Sequence, residues 1–135
     1  MHKDAARKII EEQLQSDDTL IGFFMAQQSP PIWLFFLIGP FAALSLKTYF
    51  VGVSERGVYF HRLSMTGKFA HLDFFEYGEI AGLTVGKGML QRPMKFFFSS
   101  DRTLLLKAQL KGVERVAKLD EATQRQLESR IPAHK

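Results

Sequence analysis

The chain opens and closes on a helical period, and between these ends apolar residues fall in short alternating runs. Ala6, Ile10 and Leu14, with Ile9 beside them, predict an amphipathic helix over residues 3–16, ended by Ser16-Asp17-Asp18. The apolar run Leu20–Ala26 predicts a first strand. Strands at 48–54 and 57–63 then join through Ser54-Glu55-Arg56-Gly57, a tight hairpin in which Gly57 is expected to supply a positive φ. Near 69–75, Leu72 and Phe74 alternate with His71 and Asp73 as another strand. Tyr77–Val85 gives a bend and a strand, which Gly86-Lys87-Gly88 breaks. Lys95–Ser100 and Thr103–Ala108 flank Asp101-Arg102 as a second hairpin. Beyond Gly112 the pattern is helical again. Asp120 is placed to cap a helix carrying Leu127 and Ile131, and Pro132 stops it.

The order is therefore a helix, a strand, an apolar insertion at 31–46, about six more strands and a C-terminal helix. A seven-stranded antiparallel sheet of this length must curl into a β-sandwich or partly open barrel, with the terminal helix closing one open end. The expected class is mainly β (α+β), in a single domain over residues 1–135.

No charged side chain occurs from Thr19 to Leu46, and Ile32–Leu46 is almost wholly apolar. A helix of those fifteen residues reaches about 22 Å, short of the ~30 Å hydrocarbon core of a bilayer. Pro30 and Pro31 oppose extension upstream, and Pro40 would kink the segment midway. Four readings stay open: burial against the chain's own sheet, burial between copies, contact with a membrane surface, or a bilayer anchor formed by residues 20–46. In each of them something covers the patch, because an apolar surface of this size aggregates when bare.

Composition narrows the class. With 46% hydrophobic residues and thirteen Phe, the chain has the means to fold. It has no cysteine, which excludes disulfides and thiolate metal sites. The formal net charge is +4, and it is unevenly spread: residues 47–111 hold ten basic and five acidic side chains, residues 1–20 three and five. A weakly basic body suits an anionic surface, or solubility alone. Met1–Leu14 has no continuous apolar stretch and does not read as a secretory signal, so the expected location is cytoplasmic or peripheral to the inner membrane.

Three stretches resemble the bacterial pleckstrin-homology-like (PH-like) domains. Leu14-Gln15-Ser16-Asp17-Asp18-Thr19-Leu20-Ile21 is similar to the acidic turn leading into that family's first strand. Tyr49–Phe60, through Ser54-Glu55-Arg56-Gly57, resembles its "strand, T-x-R, strand" hairpin, with Ser54 where the family commonly has Thr. Phe75–Val85, with Tyr77, Glu79 and Ile80, resembles its "Y-x-E-I" approach to the next strand. The likeness spans residues 14–131 and implies the fold and a non-catalytic binding role. Lipid-binding eukaryotic relatives hold phosphoinositides with several Lys and Arg in the loop that the apolar insertion occupies here. This chain places only Lys47 at the far end of that loop, so phosphoinositide recognition is not implied.

Other constellations carry little chemistry. Gly82–Gly88 has three residues between its first two glycines, and Gly88 follows Lys87, so it is not a P-loop. No Ser lies in a G-x-S-x-G setting. The expectation is no enzymatic activity and no cofactor. Pairing Leu63 with Phe69 would place His61 opposite His71, with Asp73 on their face, a weak candidate set for Zn²⁺ against the plainer reading of solvated side chains. Lys87, Arg92, Lys95 and Arg102 lie near turns beside Phe96–Phe98, a combination that favours a lipid-headgroup or protein-docking patch over nucleic acid, against the plainer reading of solvated basic side chains. The candidate binding residues are thus Trp33, Phe35, Phe36 and Phe41 in the insertion, and Lys87, Arg92 and Lys95 outside it. The expected role is a non-enzymatic binding or adaptor module that meets a protein partner, a second copy or a membrane surface.

Overall fold

A computed structural model describes residues 2–28, 36–39, 47–64, 67–111 and 116–134. In chain order the elements are α1 (Lys3–Glu12), β1 (Leu20–Gln28), β2 (Lys47–Ser54), β3 (Gly57–Leu63), β4 (Phe69–Glu76), a 3-10 turn (Tyr77–Glu79), β5 (Ile80–Val85), β6 (Gln91–Phe98), β7 (Thr103–Gln109) and α2 (Glu121–Arg130). The strands form one antiparallel sheet in the order β4-β3-β2-β1-β7-β6-β5. β1 pairs with β2 from Leu20 to Gln28 but meets β7 only at Ala26 and Gln27. The sheet curls at that junction into a half-barrel, and β5–β7 close over β1–β4.

Alternation decides what fills the inside. Phe24, Val51, Val53, Val58 and Phe60 point inward from the first strands, and Met94, Phe96, Phe98 and Leu106 answer from β6 and β7. Phe60 sets its ring edge-on against Phe96 at 5.2 Å and Phe98 at 6.1 Å, and Phe75 meets Phe98 at 4.4 Å. Of the three consecutive phenylalanines, Phe96 and Phe98 are core and Phe97 faces out, as the pleat requires. Asp120 caps α2 by accepting from the Thr123 N–H at 2.7 Å, and α2 drives Leu127 into the same core. It can lie so close to β1 because Gly22 has no Cβ: one there would sit 2.0 Å from Thr123 Oγ1.

β2 and β3 are buried on both faces, so the first half of the sheet needs a second cover. The outward residues Phe23, Met25 and Phe50 form an outer apolar cluster, and α1 closes over it with Ala6 and Ile10, both wholly buried. The helix ends at Glu12, earlier than the expected residue 16, because the chain must turn at Asp17 (φ 63°) to enter β1. Hydrophobic burial on both faces makes α1 part of the fold. Ile10→Ala is expected to lower stability by about 3 kcal/mol in urea denaturation; an unchanged midpoint would mean that α1 is a dispensable appendage.

Candidate functional site

The stretches that resemble PH-like motifs meet at one carboxylate. Asp18 Oδ2 accepts from the hydroxyls of Ser54 (2.7 Å) and Tyr59 (2.6 Å). Its Oδ1 accepts from the backbone N–H of Thr19 (2.8 Å) and Arg56 (3.2 Å). Arg56 donates through its guanidinium to Ser16 O and Glu76 Oε1, each at 3.1 Å. Tyr77 donates its hydroxyl to Ser54 O at 2.5 Å, and Arg130 of α2 covers the Tyr77 ring at 4.8 Å. Glu79 accepts from the Glu76 N–H and holds the 3-10 turn that feeds Ile80 into the core. Burial by itself would raise the Asp18 pKa, but the hydrogen bonds from Tyr59, Ser54, Arg56 and Thr19 outweigh it and hold it below the ordinary carboxylate value. The Tyr59 hydroxyl, buried and bonded to that carboxylate, is pushed up to about 12. Four donors on one carboxylate make a structural lock.

Gly57 serves this lock differently from the sequence expectation. Positive φ among the described glycines occurs only at Gly39 and Gly67. Gly57 is required by proximity, since a Cβ there would stand 2.1 Å from the carbonyl oxygen of Phe75 on β4.

The proposed metal trio separates. Leu63 does pair with Phe69, but a bulge follows, with Ala70 as the extra residue, so Arg62 faces His71 and His61 faces Leu72. His61 is wholly buried, with neither ring nitrogen hydrogen-bonded, between the Tyr59 ring at 6.3 Å and the edge of Phe69 at 5.3 Å. His71 and Asp73 remain together on the exposed edge, 3.2 Å apart. Among the described residues no group of three His, Asp or Glu is placed to hold a metal.

The basic candidates do not form one patch either. Arg92 lies on the inward-pointing face of β6 at its open end, where it donates to Gln124 Oε1 of α2. Lys95 points to the opposite face, its Nζ 5.2 Å from the Phe97 ring centroid. Lys87 lines a shallow cleft with Arg92, Gln124 and Glu128. Beside it stand Met89 and Leu90, 79% and 67% exposed, which the sequence reading passed over; the signal was an apolar pair directly after Gly88.

Trp33, Phe35 and Phe41 lie outside the described residues. Phe36 is described: it begins a single helical turn and is 87% exposed, with Leu37 at 72%. Residues 20–28 are sheet, with Gln28 paired to Lys47, so an anchor spanning 20–46 is corrected: its first nine residues are committed to β1. Among the described residues no helix is long and apolar enough to cross a membrane.

No family model matches the sequence, and no curated protein matches it. Among solved structures, the chain is similar to the hSac2 domain from the human phosphoinositide phosphatase Sac2. The TM-score is 0.55 at 8% identity, over 94% of this chain and 75% of that one. In this chain the seven antiparallel strands curl into a half-barrel with a helix at each end of the sequence. The fold is PH-like. At this identity the likeness carries the PH-like architecture alone.

Two acid-sensitive steps are expected. Burial holds the His61 pKa down at about 4 against 6.5 unfolded, so the unfolded chain binds the extra proton first as pH falls. Stability should drop by about 3 kcal/mol between pH 6.5 and 4, and urea titrations should show His61→Leu flattening that window. Asp18, lowered from 3.8, contributes stability above that value and loses it as pH falls further. Asp18→Ala should cost about 3 kcal/mol at neutral pH, and a loss below ~1 kcal/mol would remove it from the centre of the lock.

Proposed function

We propose that this chain is a non-enzymatic binding module of the bacterial PH-like type, attached to an anionic membrane surface through the connection between β1 and β2. The observation that carries the reading is the pair Phe36 and Leu37 standing in solvent on that connection. Exposed aromatic and aliphatic side chains are what an interface between water and lipid accepts, and a soluble monomer gains nothing by showing them. The register supplies the accompanying charge. Lys47 begins β2 at the base of the insertion, Arg62 pairs beside Tyr49, and Lys68 lies on the β3–β4 turn at the same end of the strands. Cations at the strand ends from which the apolar connection departs favour a negatively charged surface, by about 1 kcal/mol for each Lys or Arg near it.

The reading leaves the headgroup unspecified. No cradle of several Lys and Arg lies in the insertion, and the phosphoinositide named for the similar human domain's parent protein is not carried across at 8% identity. Sedimentation with phosphatidylserine vesicles tests the proposal. The parent chain should pellet with them and stay soluble with phosphatidylcholine alone. Phe36→Ser with Leu37→Ser should abolish pelleting and leave the melting temperature unchanged. A lowered melting temperature would instead make the connection a core element. A parent that ignores vesicles and elutes as a dimer would make it a contact between copies.

A further inference from the structure

We propose that the outer edge of β5 is a docking site for an extended segment of a protein partner, which residues 132–134 of the chain itself occupy as a latch. Beyond the buried Ile131 the chain runs extended along β5, where Ala133 forms a parallel bridge with Leu83. Leu83 N donates to Pro132 O at 2.9 Å and His134 N donates to Leu83 O at 3.1 Å. Thr84 Oγ1 adds a bond to His134 O at 3.1 Å. The His134 ring lies flat on Phe97, with centroids 3.6 Å apart and planes 8° from parallel.

The seat is shaped for this. A Cβ at position 82 would stand 2.9 Å from His134 Cβ, so Gly82 leaves the hollow in which residue 134 sits. Backbone groups of Leu83, the Thr84 hydroxyl and the Phe97 ring do the holding, so the site reads form: an extended segment, a small residue against Leu83, then a planar ring over Gly82 and Phe97. That pattern defines the partner, a polypeptide carrying a small residue followed by His, Phe, Tyr or Trp. Edge strands accept added strands in this way, with main-chain bonds giving affinity and side-chain seats giving selectivity.

The site is larger than its present occupant. A cleft of 300 Å³ beside the tail and the 630 Å³ cleft at the β5–β6 turn share Val85 and Glu128, and together they follow the groove between β5 and α2. Pro132, Ala133 and His134 are themselves exposed, so the latch gives up little burial when it leaves. A partner segment that runs past the seat of residue 134 would line these clefts as well.

The probe is a fluorescent peptide of sequence Ile-Pro-Ala-His, titrated by anisotropy against full-length variants. His134→Ala removes the stacked ring from an exposed position, and it should bind the peptide at least about tenfold more tightly than the parent, whose tethered tail competes at high effective concentration. Adding Gly82→Val fills the hollow and should weaken binding at least about tenfold again. In the parent, the Leu83 amide resonance should shift when the peptide is added in excess. Equal affinity for parent and His134→Ala, undiminished binding to the double variant, or no binding by His134→Ala at millimolar peptide would each overturn the proposal. Vesicle sedimentation of the same variants should be unchanged, since this edge is independent of the β1–β2 connection.

Discussion

The carboxylate of Asp18 is the point on which the arrangement of segments depends. Three separate parts of the chain converge on it: the turn leaving α1, the β2–β3 hairpin and, through Arg56 and Ser54, the start of the link into β5. Tyr59 extends the reach, because its oxygen donates to Asp18 and accepts from the Gln15 N–H at 2.9 Å. The entry angle of α1 onto the outer face and the exit of β4 toward the second half of the sheet are therefore set by one network. A charged acceptor suits this role, since bonds to it are about twice as strong as neutral ones and four donors leave it little freedom.

Once the hairpin is held, the two faces of β1–β4 make unequal demands. The inner face is met by β5–β7 and α2, as in any curled sheet of this size. The outer face is just as apolar in its middle, and α1 is the answer to it. That second cover brings a liability, the burial of His61 with neither nitrogen bonded. An imidazole held neutral in this way packs as a flat ring between Tyr59 and Phe69, and the arrangement tolerates it as long as no proton arrives.

The edges are treated differently. β4 ends the sheet on one side with exposed Ala70, His71 and Asp73 and a bulge, features that discourage further pairing. β5 ends it on the other side, and the C-terminal residues lie against it. Among the described residues, the large hydrophobic side chains most exposed to solvent are on connections, Phe36–Leu37 and Met89–Leu90, where the sheet asks nothing of them and binding has room to act.

Much of this is legible in the amino-acid sequence. Period-2 runs and turn residues located all seven strands, and Asp120 with Pro132 bounded α2, because these signals act between neighbours in sequence. The motifs around Asp18, Arg56 and Tyr77 were legible as a likeness, while their convergence was not, since hydrogen bonds between residues about forty positions apart leave no local pattern. The bulge at Ala70 was equally silent. One unpaired residue shifts the rest of β4 by one place against β3, so Leu72 takes the position opposite the buried His61 and His71 faces Arg62. Gly57 was read for its φ and proved to matter for the closeness of Phe75, a neighbour that only strand pairing supplies. The sequence by itself determined which segments extend, which coil and where they stop. The tertiary structure alone decided which faces were covered and which side chains met, because burial depends on what folds back over a strand.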